Sequence, residues 1–154
     1  MDYSWETMLA VVERDDLDAF MAMLASVPAD RVGQLAALSA SFGATKVLDY
    51  WLRNGLNPDQ KYFNNSLLRR AATAGQAEVV RILLAAGAKL DGVPLVAAAS
   101  SGSLECVRLL VEAGADVDHG NPGFPTPLGA AEDKGHVEIA RYLREHGATR
   151  RVGA

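Results

Sequence analysis

The sequence has one cysteine, three histidines and only 6% aromatic residues, and no apolar run in it approaches the roughly 18 to 20 residues of a membrane span. A single thiol, Cys106, excludes an internal disulfide and suits a reducing compartment. The amino-terminal stretch MDYSWETMLAVVERDD carries acids where a secretory leader carries Lys or Arg, so a cytoplasmic location is expected. Lys and Arg number 15 against 19 Asp and Glu, a net charge of -4 that argues against general affinity for nucleic acid or an anionic membrane and leaves room for a basic partner. What the 154 residues do contain, 49% hydrophobic and 22% charged, is enough to bury a core without disulfide or metal.

Glycine supplies the organisation. Gly43 and Gly55, Gly75 and Gly87, Gly102 and Gly114, and Gly135 and Gly147 are each twelve residues apart. Between the members of a pair lies an amphipathic segment, with Val79, Val80, Leu83 and Leu84 in one copy and Cys106, Val107, Leu110 and Val111 in the next. That spacing predicts one apolar face on a short helix. The second glycine falls where a helix ends in a left-handed cap. Before the first glycine runs an alanine-rich segment, SLLRRAATAG, VPLVAAASSG, TPLGAAEDKG or, more weakly, QLAALSASFG. Alanines such as Ala71, Ala72, Ala98 and Ala99 suit helices that approach their neighbours closely, and Pro94 and Pro127 fall in a first turn where the missing N–H breaks no bond.

A helix, a tight turn and a second helix, repeated in this register, resembles the ankyrin repeat. Its signature T-P-L-H-x-A-A-x-x-G-H is matched best by TPLGAAEDKGHVEIARYLREHGA, Thr126 to Ala148, which departs from it at Gly129 and Glu132. GADVD, Gly114 to Asp118, matches the connecting piece. WETMLAVVERDDLDAFMAMLAS fits the same frame with Asp15 in place of the first glycine, as a degenerate first repeat. The resemblance implies one all-α domain over residues 1–154, an ankyrin-repeat solenoid with repeats near 4–30, 31–60, 61–90, 91–118 and 119–148 and a tail at 149–154.

The copies are unevenly spaced. Gly43 to Gly75 is 32 residues and Gly102 to Gly135 is 33, but Gly75 to Gly102 is 27 and Asp15 to Gly43 is 28. Two projecting loop fingers are therefore expected at residues 56–65 and 115–125, with clipped connections at 27–34 and 88–93. Arg144 stands where earlier copies carry Leu52, Leu84 and Val111, as suits an outer face with no following repeat.

Catalytic chemistry has little to stand on. His136 occupies a position where ankyrin repeats commonly carry histidine, and a structural role is expected for it. His119 and His146 have no acidic or thiol neighbour at metal-ligand spacing, so no metal site is expected. Cys106 aligns with Val79 and Ile139 and reads as a small core residue. Glu132 and Asp133 are adjacent and diverge on a helix. No phosphate loop or nucleophile arrangement is present, and neither an enzyme nor a cofactor is expected. Glu78 with Arg81, Glu105 with Arg108 and Glu138 with Arg141 read as pairs on a solvated back face.

Function is then expected from the positions the frame does not fix. Five inner helices spaced about 8 to 10 Å apart offer a strip of about 800 Å², one side of a standard interface. Its variable residues include Glu13, Arg14, Ser41 and Phe42, then Thr73 and Ala74, then Ser100, Ser101, Asp133 and Lys134. The finger tips add Tyr62, Phe63 and Asn65 on one side and Asn121, Pro122 and Phe124 on the other. Tyr62 and Phe63 are adjacent aromatics in a polar loop, either interface anchors or, for one of them, a ring folded back on the neighbouring helix. Arg69 and Arg70 open the helix behind them. Arg69 replaces the histidine of the ankyrin signature, with a salt bridge to Asp59 or a helix-end contact as the plain alternative. Phe42, Tyr62, Phe63, Arg69, Arg70 and Thr73 are expected to form one patch, and the clipped connection before Val93 to leave Ser100 and Ser101 within a partner's reach.

The resemblance implies a protein-binding module, monomeric when free, that inhibits or sequesters a partner protein. A bacterial immunity-type inhibitor of a basic toxin is a specific case. An assembly subunit or a small-molecule sensor are the alternatives from other classes.

Overall fold

A computed structural model describes residues 4–120 and 123–149, with only the backbone described for Ala29 and Asp30. Asn121, Pro122 and the tail beyond Thr149 lie outside the described residues. Among the described residues ten helices form five antiparallel pairs: α1 (Trp5–Glu13) with α2 (Leu17–Met23), α3 (Ala29–Phe42) with α4 (Thr45–Arg53), α5 (Leu67–Thr73) with α6 (Ala77–Ala85), α7 (Val93–Ser101) with α8 (Leu104–Glu112), and α9 (Pro127–Asp133) with α10 (Val137–Glu145). A 3-10 turn, Leu24–Ser26, follows α2. A small hairpin of β1 (Lys61–Tyr62) and β2 (Asn65–Ser66) precedes α5. The odd-numbered helices stack into an inner row and the even-numbered into an outer row, with the inner helices in the more extensive contact.

Alanine explains that difference. Ala36, Ala37, Ala40, Ala71, Ala72, Ala98, Ala99 and Ala131 are buried between inner helices, where a larger side chain would hold the backbones apart. The outer helices bury larger residues on one face, Val79, Val80 and Leu83 on α6 and Cys106, Val107 and Leu110 on α8. Burying each such valine or leucine is worth about 1.5 to 3 kcal/mol. The outer helices α4, α6, α8 and α10 then stop in a common way. After α6, Gly87 takes a φ of 85° and the next amide, that of Ala88, returns to the Leu83 carbonyl at 3.0 Å. Leu56, Ala115 and Ala148 close the same bond to Trp51, Leu110 and Leu143.

Asp15 stands in the place of a glycine for a stereochemical reason. Its φ is 51°, a left-handed value that aspartate tolerates better than most residues. Its carboxylate accepts hydrogen bonds from the Lys46 and Val47 amides at 3.0 Å and from the Thr45 hydroxyl at 3.1 Å. It thus caps α4, whose own N-cap residue, Ala44, offers no side-chain acceptor.

Two cross-repeat bonds fix the register of the inner row. Gln76 Nε2 donates to the Ser41 carbonyl at 3.3 Å, and His136 Nε2 donates to the Ser100 carbonyl at 3.2 Å from the equivalent position two repeats on. Between them Ser103 caps its own helix, and the Ser101 hydroxyl donates to the Ala72 carbonyl at 3.0 Å instead. Arg144 of α10 pairs with Glu132 of α9.

Several local expectations change. The segment 27–34 is not a loop: α3 starts at Ala29 behind Pro28 and runs 14 residues, five more than α7. Gly33 therefore lies in a helix. Asp59 does not pair with Arg69, because its carboxylate accepts the Lys89 amide at 2.7 Å. On the back face Glu78 and Arg81 pair at 3.1 Å. Arg108 departs from the expected pairing with Glu105 and lies 5.8 Å from the centre of the Tyr142 ring, while Arg141 turns to Glu145 at 3.9 Å.

Candidate functional site

The inner row presents two adjoining hollows. The larger, about 400 Å³, is floored by Val93, Val96 and Ala97 of α7 and walled by Arg69 of α5 and by Lys134 just past the end of α9. The smaller, about 280 Å³, lies toward Ser41 and the hairpin and is lined by Asn65, Arg69 and Arg70 among others. Arg69 and Thr73 belong to both and form the ridge between them. Of the expected contact residues the structure brings Asn65, Arg69, Arg70 and Thr73 to the smaller hollow, and Ser100, Ser101 and Lys134 to the larger one with Arg69 and Thr73.

The aromatic finger divides into two roles. The Tyr62 ring folds back on α3, so close that a Cβ at Gly33 would stand 1.8 Å from its Cε1. Burial pushes the Tyr62 hydroxyl above its ordinary range. Arg70 Nη2 donates to the Tyr62 carbonyl at 3.0 Å and so supports the hairpin from behind. Tyr62 and Arg70 therefore do not join Phe42 in one open patch, and Phe42, 40% exposed at the end of α3, lines neither hollow. Phe63 is 78% exposed at the tip of the two-residue turn. Its φ is 50° and that of Asn64 is 61°, the left-handed pair of a tight hairpin turn in which glycine or asparagine is preferred.

On the second finger Phe124 is 74% exposed, and no strand forms there among the described residues. Asp118 accepts the Thr149 amide at 2.6 Å, as Asp59 does that of Lys89, so each finger is tied at its base to the next repeat. Asp133 is exposed beside Lys134 and lines neither hollow.

Charge in the hollows runs against the charge of the chain. Arg69, Arg70 and Lys134 line them and no carboxylate does, although acids outnumber bases 19 to 15 overall. The expectation of a basic partner followed from net charge, whereas the charged residues that line these two hollows are themselves basic.

Val93, Val96 and Ala97 were not singled out from sequence. Their signal lay in the alignment of copies: Val93 takes the place of Ser66 and Thr126, which cap α5 and α9, and Val96 takes the place of Arg69 and Gly129.

Among the described residues no group of three or more His, Cys, Asp or Glu is placed to hold a metal ion, and no helix is long and apolar enough to cross a membrane. His119 packs over Gly92, and His146 bonds the Tyr142 carbonyl at 2.8 Å. Cys106 is buried, and burial, more than the nearby Glu105, pushes its thiol upward.

A family model described as ankyrin repeats (3 copies) matches residues 34–121 and 89–152. The chain is similar in structure to the human ASB11 ankyrin repeat domain, with a TM-score of 0.80 and 25% identity over 92% of this chain and 69% of that one. No curated protein matches the sequence.

Proposed function

Because the chain belongs to the ankyrin-repeat family, whose members are generally protein–protein interaction modules, we propose that it binds another protein along the inner row, with the Phe63 fingertip as an apolar anchor. Phe63 carries this reading. A phenylalanine in a left-handed turn position costs about 1 to 2 kcal/mol that glycine would avoid, and its ring, mostly exposed, recovers little of that by packing within the chain. Aromatic anchors at the edge of a groove are frequent interface hot spots. A partner seated there has its own surface covered, which is the physical basis for inhibition or sequestration, an immunity-type inhibitor being one instance.

The test places a photoreactive residue at Phe63, at Thr73 or, on the outer row, at Glu112 in the tagged chain. Covalent adducts with one other polypeptide are expected from the first two positions in the native cells. Equal yield from Glu112, or none from Phe63 and Thr73, would move binding away from this face. Phe63→Gly is expected to raise the melting temperature while weakening capture about tenfold or more.

A further inference from the structure

Resting on the reading that the inner row binds a protein, we propose that the hollow between α5, α7 and α9 takes an acidic segment of that protein with apolar side chains next to its carboxylates. The floor of the hollow is Val93, Val96 and Ala97, spaced i, i+3 and i+4 on one face of α7. Its walls are Arg69 and Lys134, from the two inner strips that flank α7. Neither cation has a side-chain hydrogen bond or ion pair among the described residues, in contrast to Arg70, which the hairpin occupies. An apolar floor between two free cations is complementary to a segment that alternates carboxylates with apolar groups. A uniformly charged polyanion satisfies only the walls.

The chain departs from its own repeat to make this floor. Ser66 and Thr126 accept the Arg69 and Gly129 amides at 3.2 and 3.1 Å and cap their helices, whereas the equivalent Val93 cannot. Helix α7 instead starts on Gly92 at a φ of 80°, without a side-chain cap. Val96 likewise replaces a residue type that is charged in the preceding copy. Both changes place apolar atoms in one hollow, and such coincident breaches of a local rule are expected where a surface is used. The connection from α6 to α7 is also shorter than those from α4 to α5 and from α8 to α9, with no hairpin to stand over the mouth.

The experiment uses the whole chain and three short fluorescein-labelled peptides, one alternating glutamate and leucine, one lysine and leucine, and one glutamate and serine. Anisotropy is expected to show the Glu–Leu peptide binding about tenfold tighter than either other, with affinity falling as salt is raised. Arg69→Glu with Lys134→Glu should reverse the preference between Glu–Leu and Lys–Leu, and Val96→Ser should weaken Glu–Leu about threefold while leaving its salt dependence unchanged. Circular dichroism of each variant confirms the fold. Tighter binding of Lys–Leu, lost in Val96→Ser, would keep the groove and overturn its acidic preference. Glu–Leu binding indifferent to the charge reversal, or no binding up to about 1 mM, would overturn the proposal outright. The crosslinking at Phe63 and Thr73 judges the wider reading independently.

Discussion

Between α1 and α4 the buried side chains include Met8, Phe20, Met23 and Trp51, whereas from α5 to α10 the core is built mostly from alanine, leucine and valine and buries no aromatic ring fully. Phe20 meets Trp51 edge-on at 5.3 Å and Tyr50 at 5.9 Å. The later repeats have near-identical glycine turns and can stack small residues tightly because every backbone follows the same path. The first pair packs on α3 and α4 and lacks the first glycine. Aromatic volume and the Asp15 carboxylate do there what repetition does elsewhere. A repeat protein can therefore depart from its frame where a different interaction replaces the one lost.

The largest expected break in this contrast is Trp51→Ala, which removes the ring that Phe20 and Tyr50 pack against and costs about 3 to 5 kcal/mol. Urea unfolding followed by circular dichroism should then show two steps, the helices around Trp51 melting before the alanine-rich repeats. A single step shifted as a whole would show that both clusters unfold as one unit. Asp15→Ala, which leaves the α4 amides without their acceptor, should cost about 1 to 2 kcal/mol in the same measurement. Asp15→Asn, which keeps an acceptor and tolerates the left-handed backbone, should cost less. His136→Ala and Gln76→Ala should each cost about 1 kcal/mol, and Gln76→His should be close to neutral if the two positions are the same device.

The smallest effect is one of pH. Burial raises the Cys106 thiol, so as the pH climbs the unfolded chain ionises first. Its contribution is fully present at neutral pH and is lost as the pH passes the ordinary thiol value toward the raised folded one. Between pH 7 and 10 the wild type should lose about 1 kcal/mol or less beyond what Cys106→Val loses, while the raised tyrosines affect both alike.

The helix pairs and the glycine turns were legible because they rest on local rules: apolar spacing, left-handed caps and small residues at close contacts. Features carried by bonds across the chain were not. The reason for Asp15 lies at Lys46 and Val47, and the helical start of α3 is visible only once the Tyr62 ring is seen lying on Gly33. The site was half legible. Thr73 and Lys134 stood at variable positions and Arg69 in place of the signature histidine, but Val93 and Val96 were not singled out, because what marks them is the open side of α7.

Both tryptophans, Trp5 and Trp51, belong to the amino-terminal cluster, and the lone cysteine belongs to the other. The unmodified chain thus carries an optical reporter at one end and a chemical one at the other. Indole emission follows the aromatic pair of repeats, and the rate at which a thiol reagent reaches Cys106 follows the alanine-rich stack. Whatever settles on this protein can be asked which end it quiets, with no label attached.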